Sequence, residues 1–284
     1  MITEDQAIGM LVGTAIGDAL GAPLEFIEPE DIPDVHEEMT GGGVHDTAPG
    51  EWTDDTAMAM AIADAYITQG GFDPAAIMLN FKVWKDTGTY GTRDYVFDIG
   101  NTTSKALVEA NVYTPYAGSS SDKASGNGSI MRVAPIMIVN HSNTVRAIGE
   151  AVAVSLMTHG SRDTVHYISA FVAECMEGFH FSSNQSLLLK TRMPPHGIRG
   201  TIMWAYTQAW RSISNGNFED AVVHAVNRGN DADTVGAVTG MLAGRMFGYS
   251  KIPKRWLDKL HQHDHIVDTA KKLYNLYEKS TKTP

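Results

Sequence analysis

Gly229-Asn230-Asp231-Ala232-Asp233-Thr234-Val235-Gly236 is the stretch on which the reading of this chain turns. It places two carboxylates two residues apart, with a hydroxyl beside the second. Hard oxygens in this pattern suit Mg²⁺, Mn²⁺ or Ca²⁺, whereas structural zinc takes Cys and His. Glycines continue at Gly236, Gly240 and Gly244, every fourth residue, so the stretch reads as a loop entering a helix with one smooth face. The ordinary alternative is a helix cap by Asp233 or Thr234. An EF-hand loop also opens Asp-x-Asp and has Gly at its sixth position. Here, however, Leu242 stands where its bidentate Glu is required, so that reading fails.

A second acidic cluster, Thr53-Asp54-Asp55-Thr56, precedes another helical pattern far upstream. Adjacent carboxylates repel unless a cation or proton lies between them. Two such clusters at two helix entrances can share a binuclear cation site if the fold joins them, and a single domain over residues 1–284 then follows. The first helix, opened by the capping-box pattern Thr3-x-x-Gln6, also carries glycine at every fourth position: Gly9, Gly13, Gly17 and Gly21. Glycine costs about 1 kcal/mol per helical position relative to alanine. Four on one face therefore predict close approach of another backbone, with the helix after Asp233 as the partner.

Composition narrows the class. The chain has 284 residues, a hydrophobic fraction of 43%, a charged fraction of 19% and a formal net charge of −11. No Lys/Arg run marks a nucleic-acid surface. A phosphate-bearing ligand would need local cations to offset the acidic field, and bound divalent metals would supply them. The single Cys175 excludes an internal disulfide and fits a reducing compartment. The N-terminus lacks a basic leader pattern, and the apolar run from Ile8 to Leu24 is interrupted by Asp18. A cytoplasmic protein with no membrane and no nucleic-acid partner is expected.

Helical periodicity is read over 56–68, from Pro74 to about Lys85, and over 143–157, 162–176, 201–214, 218–227, 253–262 and 266–278, each bounded by cap or breaker residues. No run of alternating β-branched residues predicts a strand. The loop of residues 28–50, rich in Gly, Pro and acids, is a candidate lid, residues 87–128 read as irregular, and 279–284 as a frayed tail. The fold class is therefore a compact all-α single domain of many helices.

Further motifs lie in the loops. Gly126-Asn127-Gly128-Ser129 precedes Ile130-Met131-Arg132, read as a helix start. Exposed N–H groups there would make a phosphate cradle, although a plain turn is the commoner meaning of Gly-Asn-Gly. Thr158-His159-Gly160 ends a helix, and Asp98-Ile99-Gly100-Asn101-Thr102 places an acid in the irregular stretch. Together with 13–26 (GTAIGDALGAPLEF), the two Thr/Asp clusters and these loops, the chain resembles the ADP-ribosylglycohydrolase family, with six motifs in the family's order.

That resemblance implies an all-α domain with a pair of Mg²⁺ or Mn²⁺ ions at its centre, held by Thr53, Asp54, Asp55, Asp231, Asp233 and Thr234. It implies Glu25 at the metal centre, handling the attacking water, with Asp55 counted as catalytic beside it. Gly126, Asn127, Gly128 and Ser129 would bind phosphate and ribose, and His159 the same ligand. Asp98 would meet the modified side chain, where a carboxylate suits a guanidinium. The implied activity is metal-dependent removal of ADP-ribose from an ADP-ribosylated protein, at arginine, by a monomer that releases ADP-ribose. The alternatives are another linkage (serine, nucleobase or O-acetyl-ADP-ribose) or a non-catalytic ADP-ribose-binding or crystallin-like member. In one departure, Gly200-Thr201 stands where family members often place an aromatic residue against adenine. Either a nearby ring such as Trp204 or Tyr206 then holds adenine, or selectivity for adenine is weaker.

Overall fold

The computed structural model describes residues 1–177 and 200–280. Twelve α-helices lie in these residues. The first, α1 (Glu4–Gly21), opens with the expected capping box: Thr3 Oγ1 accepts from the Gln6 N–H, and Gln6 returns the bond to the Thr3 N–H. Every residue from Ala7 to Gly21 is buried, so α1 is apolar on all sides and forms the axis of the domain. By length and composition the segment Glu4–Leu24 matches a membrane span, but here its apolar part, from Ala7 to Leu24, is buried within the rest of the chain.

The partner expected for its glycine face is there. Helix α10 (Ala232–Phe247) runs antiparallel to α1, pairing Gly9 with Gly244, Gly13 with Gly240, Gly17 with Gly236 and Gly21 with Ala232. A Cβ added to Gly17 would land on the Gly236 carbonyl, and one added to Gly240 on the Gly13 carbonyl. Only glycine permits backbones this close. The antiparallel register also fixes function-bearing ends: the C-terminus of α1, leading to Glu25, lies beside the N-terminus of α10, with Asp231 and Asp233.

The remaining helices wrap this pair. They are α2 (Asp54–Gln69), α3 (Pro74–Thr87), α4 (Asn101–Glu109), α5 (Ala134–Val139), α6 (Thr144–Leu156) and α7 (Arg162–Glu177). After the gap follow α8 (Ile202–Ile213), α9 (Phe218–Val226), the short α11 (Lys254–Leu257) and α12 (His263–Ser280). Among the described residues there is no strand, only isolated bridges such as Gly126 with Thr201. Large buried side chains, among them Trp52, Tyr66, Phe81, Phe171, Phe218 and Trp256, fill the core.

Three expectations are corrected. Residues 87–128 are not irregular throughout, because α4 interrupts them. The helix expected over 253–262 stops at Leu257 and gives way to turns. The loop at 28–50 is tied down: Asn227 pairs with both backbone groups of His36, Glu38 pairs with Arg255 and Lys259, and Arg93 donates to the carbonyls of His45 and Asp46. The last helix reaches Ser280, and the rest of the expected frayed tail lies outside the described residues.

Candidate active site

Asp18, deep in α1, organises the first acidic cluster. Its carboxylate accepts the N–H of Thr53 at 2.9 Å, the N–H of Thr56 at 3.0 Å and the Thr56 hydroxyl at 2.6 Å. Thr53 is the formal cap of α2 but makes no side-chain capping bond, so Asp18 serves in its place. Thr53, Asp54 and Asp55 are thereby left free for other work. A similar release occurs at α10: its cap residue Asp231 makes no side-chain capping bond, and the backbone N–H that Asp233 accepts is that of the adjoining Thr234. The simple-cap reading of the acidic stretch therefore fails.

The two clusters meet. Thr53 Oγ1 lies 3.3 Å from Asp55 Oδ2 and 3.5 Å from Asp233 Oδ2, and Thr234 Oγ1 lies 3.4 Å from Asp55 Oδ2. A backbone clasp locks Glu25 to the same place. Phe26 N–H donates to the Asn230 carbonyl at 2.6 Å, and Asn230 N–H donates to the Ile27 carbonyl at 2.7 Å. Both residues take positive φ, +62° and +57°. For a bulky residue such as Phe26 this is a strained backbone, of the kind that persists where the surroundings over-determine it. Gly229 is obligatory beside them, since a Cβ there would strike the Ile27 carbonyl.

A cavity of about 480 Å³ opens over this arrangement. Glu25, Asp54, Asp98, Asp231, Asp233 and Thr234 form one side; Gly126, Asn127, Gly128 and His159 form the other. Thr53 and Asp55 stand just behind the wall. Ser129 is fully buried and does not reach the cavity. Asn127 links the sides by donating its amide to Asp231 Oδ2 at 2.6 Å. The glycine loop does not lead straight into a helix as expected, because α5 starts only at Ala134. The helix N-terminus at the cavity is instead that of α4, contributing Gly100, Asn101, Thr102 and Thr103, where free N–H groups favour anions. The loop is held from the other side by Gly200, whose carbonyl accepts the Asn127 N–H at 3.2 Å.

Burial dominates the electrostatics. It pushes the carboxyls of Asp54, Asp55 and Asp233 well above the usual range, and like charges around them push the same way. Glu25 rises to about 9, from burial and then from Asp98, Asp231 and Asp18; Asp231 and Asp98 rise through burial. Asp55 Oδ1 is buried without a hydrogen-bond partner. Crowded buried carboxylates require either protons or a cation, and this oxygen-only set with an orphaned lone pair fits a hard divalent ion. Ligand atoms of Glu25, His45 and Asp98 also fall within 4.8 Å of one another.

His45 was not singled out in the sequence. Its Nε2 lies 2.6 Å from Glu25 Oε2 and 3.5 Å from Asp98 Oδ2. A lone histidine in a glycine-rich loop carries no periodic signal, so only the fold reveals it. The rings expected against adenine do not reach the cavity: Tyr206 is buried and donates to Glu174, and Trp204 does not line the wall. Phe26 does line it and is 70% exposed.

The described residues thus form an all-helical domain with a carboxylate-rich cavity beside a glycine loop and a helix N-terminus, an arrangement suited to cations and anionic ligands. The model of the family described as ADP-ribosylglycohydrolase matches residues 1–192 and 189–283. The chain is 34% identical to "ADP-ribosylarginine hydrolase Tri1" of Serratia proteamaculans, covering 95% of this chain and 79% of the relative. It is 29% identical to "ADP-ribosyl-[dinitrogen reductase] glycohydrolase" of Rhodospirillum rubrum, covering 90% of each. A solved "ADP-ribosylglycohydrolase-related protein complex" superposes with a TM-score of 0.82 at 30% identity, over 96% of this chain and 98% of the other. The chain belongs to the ADP-ribosylglycohydrolase family.

Proposed function

We propose that the protein hydrolyses the bond joining ADP-ribose to arginine in modified proteins, with a pair of Mg²⁺ or Mn²⁺ ions held by Thr53, Asp54, Asp55, Asp231, Asp233 and Thr234. The observation that carries this reading is the placement of Asp98 across His45 from Glu25, within the cavity that Gly126–Gly128 also line. Asp98 offers two oxygens to a guanidinium, which fills both with parallel N–H donors; a serine linkage offers no such pair. Arginine is also the residue named in the two Tri1 relatives, at 34% and 32% identity.

When bound, the cations supply Lewis acidity that grips vicinal hydroxyls and lowers the pKa of water. The chain's own residues do the rest. The Gly126–Gly128 backbone and the N-terminus of α4 bind the anionic part of the ligand. Glu25 takes a proton from the attacking water, whose oxygen joins the ribose anomeric carbon. The bond to the guanidinium nitrogen breaks, that nitrogen keeps the electron pair and takes a proton, and Asp98 holds the departing arginine. The buried free thiol Cys175 supports a cytoplasmic setting, and the reading includes a monomer acting on an ADP-ribosylated protein.

The test is release of ADP-ribose, with restored arginine, from an arginine-linked peptide, read by mass spectrometry with and without EDTA. Cation-dependent release is expected. No release in the presence of either Mg²⁺ or Mn²⁺ would overturn the proposal.

A further inference from the structure

Arg132 is fully buried and has no carboxylate partner within hydrogen-bonding reach. Its Nη2 donates to the Val154 carbonyl at 3.2 Å and to Thr158 Oγ1 at 2.6 Å, while its guanidinium sits 4.7 Å from the centre of the Phe81 ring. Thr158 Oγ1 in turn lies 2.8 Å from His159 Nδ1. One assignment of protons gives every donor among these contacts an acceptor. A guanidinium can only donate, so Thr158 accepts from Arg132. The hydroxyl oxygen has a second lone pair, but if it accepted from an Nδ1–H its own proton would have no acceptor among these contacts, so that proton goes to Nδ1. Nδ1 is then the bare nitrogen, and the ring's own proton sits on Nε2.

Nε2 is the atom turned towards the glycine loop. A Cβ on Gly126 would lie 3.3 Å from it, and one on Gly128 would lie 3.1 Å from Cε1 and 3.4 Å from Nε2. We infer that Arg132 and Thr158 form a relay that fixes His159 as a neutral Nε2–H donor, aimed at an acceptor oxygen of the ligand over Gly126–Gly128. The relay rests on the reading that ADP-ribose occupies this cavity, and it makes Arg132 and Thr158 positioning residues for binding. Two observations support it. Burial, with Arg132 adding like charge, pushes His159 down to about 3, so the ring is neutral at working pH. The Ser155 hydroxyl donates to the His159 carbonyl at 3.0 Å, which holds the backbone while the side chain is oriented.

The relay accounts for an otherwise expensive feature. Burying a guanidinium without a hydrogen-bonded carboxylate is costly, and burial lowers Arg132 to about 9 even though the charge of Asp54 acts in the opposite direction. A neutral threonine–histidine pair keeps the donor direction fixed, where an acid in place of Thr158 would draw the ring proton to Nδ1 and leave Nε2 an acceptor, facing phosphate with the wrong polarity.

Long-range ¹H–¹⁵N correlation spectra of the ligand-free protein read the tautomer directly, and titration calorimetry with ADP-ribose reads its consequence. The expected wild-type spectrum has His159 protonated at Nε2 with Nδ1 shifted as a hydrogen-bond acceptor. Thr158→Ser keeps both that signature and affinity. Thr158→Val loses the Nδ1 shift and binds ADP-ribose about tenfold more weakly, the worth of a single hydrogen bond to a charged group. A proton on Nδ1 in the wild type, or wild-type affinity in Thr158→Val, overturns the relay; if the valine variant does not fold, the wild-type spectrum and the serine variant decide. Failure of the wild type to bind ADP-ribose would instead sink the functional reading, since the tautomer is measured without ligand.

Discussion

Asp18 holds Thr56 by two bonds at once, taking its backbone N–H at 3.0 Å and its hydroxyl at 2.6 Å, from a helix 38 residues earlier in the chain. The helix carrying Asp54 and Asp55 is thus capped from the axis of the domain, and the position of the acids follows from the packing of α1. Asp18→Ala should leave the Thr53 and Thr56 N–H groups unpaired in a buried setting, at a cost of about 1–3 kcal/mol. Denaturant unfolding checks this, and turnover should fall with it. Unchanged stability would mean that α2 is positioned by its own contacts.

The glycine seam allows a sharper contrast. Gly17→Ala and Gly240→Ala each force a methyl onto a facing carbonyl, so each should destabilise by more than about 3 kcal/mol, the range of severe overpacking. Gly149→Ala, on α6 with open space around it, should instead stabilise by about 0.5–1 kcal/mol through helix propensity. Thermal melts of the three variants separate close approach from a general intolerance of alanine.

How much of this was legible in the sequence depended on distance along the chain. The fourfold glycine spacing announced the contact of α1 and α10 because both halves of that signal are periodic. The Thr/Asp clusters were legible as ligand-like because carboxylates side by side are rarely accidental. His45 and the capping role of Asp18 were not, since a single polar residue in a loop or in an apolar helix carries no pattern until its partner, 20 or 38 residues away, is placed. The start of α5 was misjudged because Ile130, Met131 and Arg132 are buried yet form turns, with Pro135 setting the first helical turn later.

Removing divalent cations should make stability fall as pH rises. Glu25 has its folded pKa raised to about 9 and Asp18 to about 6, both above their unfolded values. The folded protein therefore holds more protons than the unfolded chain, and stability declines from about pH 4 towards pH 9. Added Mn²⁺ or Mg²⁺ should displace those protons and flatten the profile, with proton release visible by calorimetry in buffers of different ionisation enthalpy. A pH profile indifferent to the cation would argue that the acids do not bind it.

Asp54→Asn and Asp233→Asn remove one oxygen charge from each cluster. If the clusters share one site, either change should reduce metal binding and abolish turnover while circular dichroism keeps its helical signal. Full activity in either variant would separate the clusters.

Asp98→Ala should lower kcat/KM for ADP-ribosyl-arginine about 10- to 150-fold, corresponding to about 1.5–3 kcal/mol for lost hydrogen bonds to a charged group. Affinity for free ADP-ribose, which lacks the arginine, should barely change. Equal losses on arginine- and serine-linked substrates would mean that Asp98 does not read the guanidinium.

Linkage choice by the wild-type protein tests the account most directly. Equimolar peptides carrying ADP-ribose on arginine and on serine, mixed in one reaction with Mg²⁺ or Mn²⁺, are followed by mass spectrometry. Loss of the arginine-linked ADP-ribose, with the serine-linked peptide left intact and both preserved in EDTA, is the predicted result. Preferential cleavage at serine, or cleavage that survives EDTA, would contradict it.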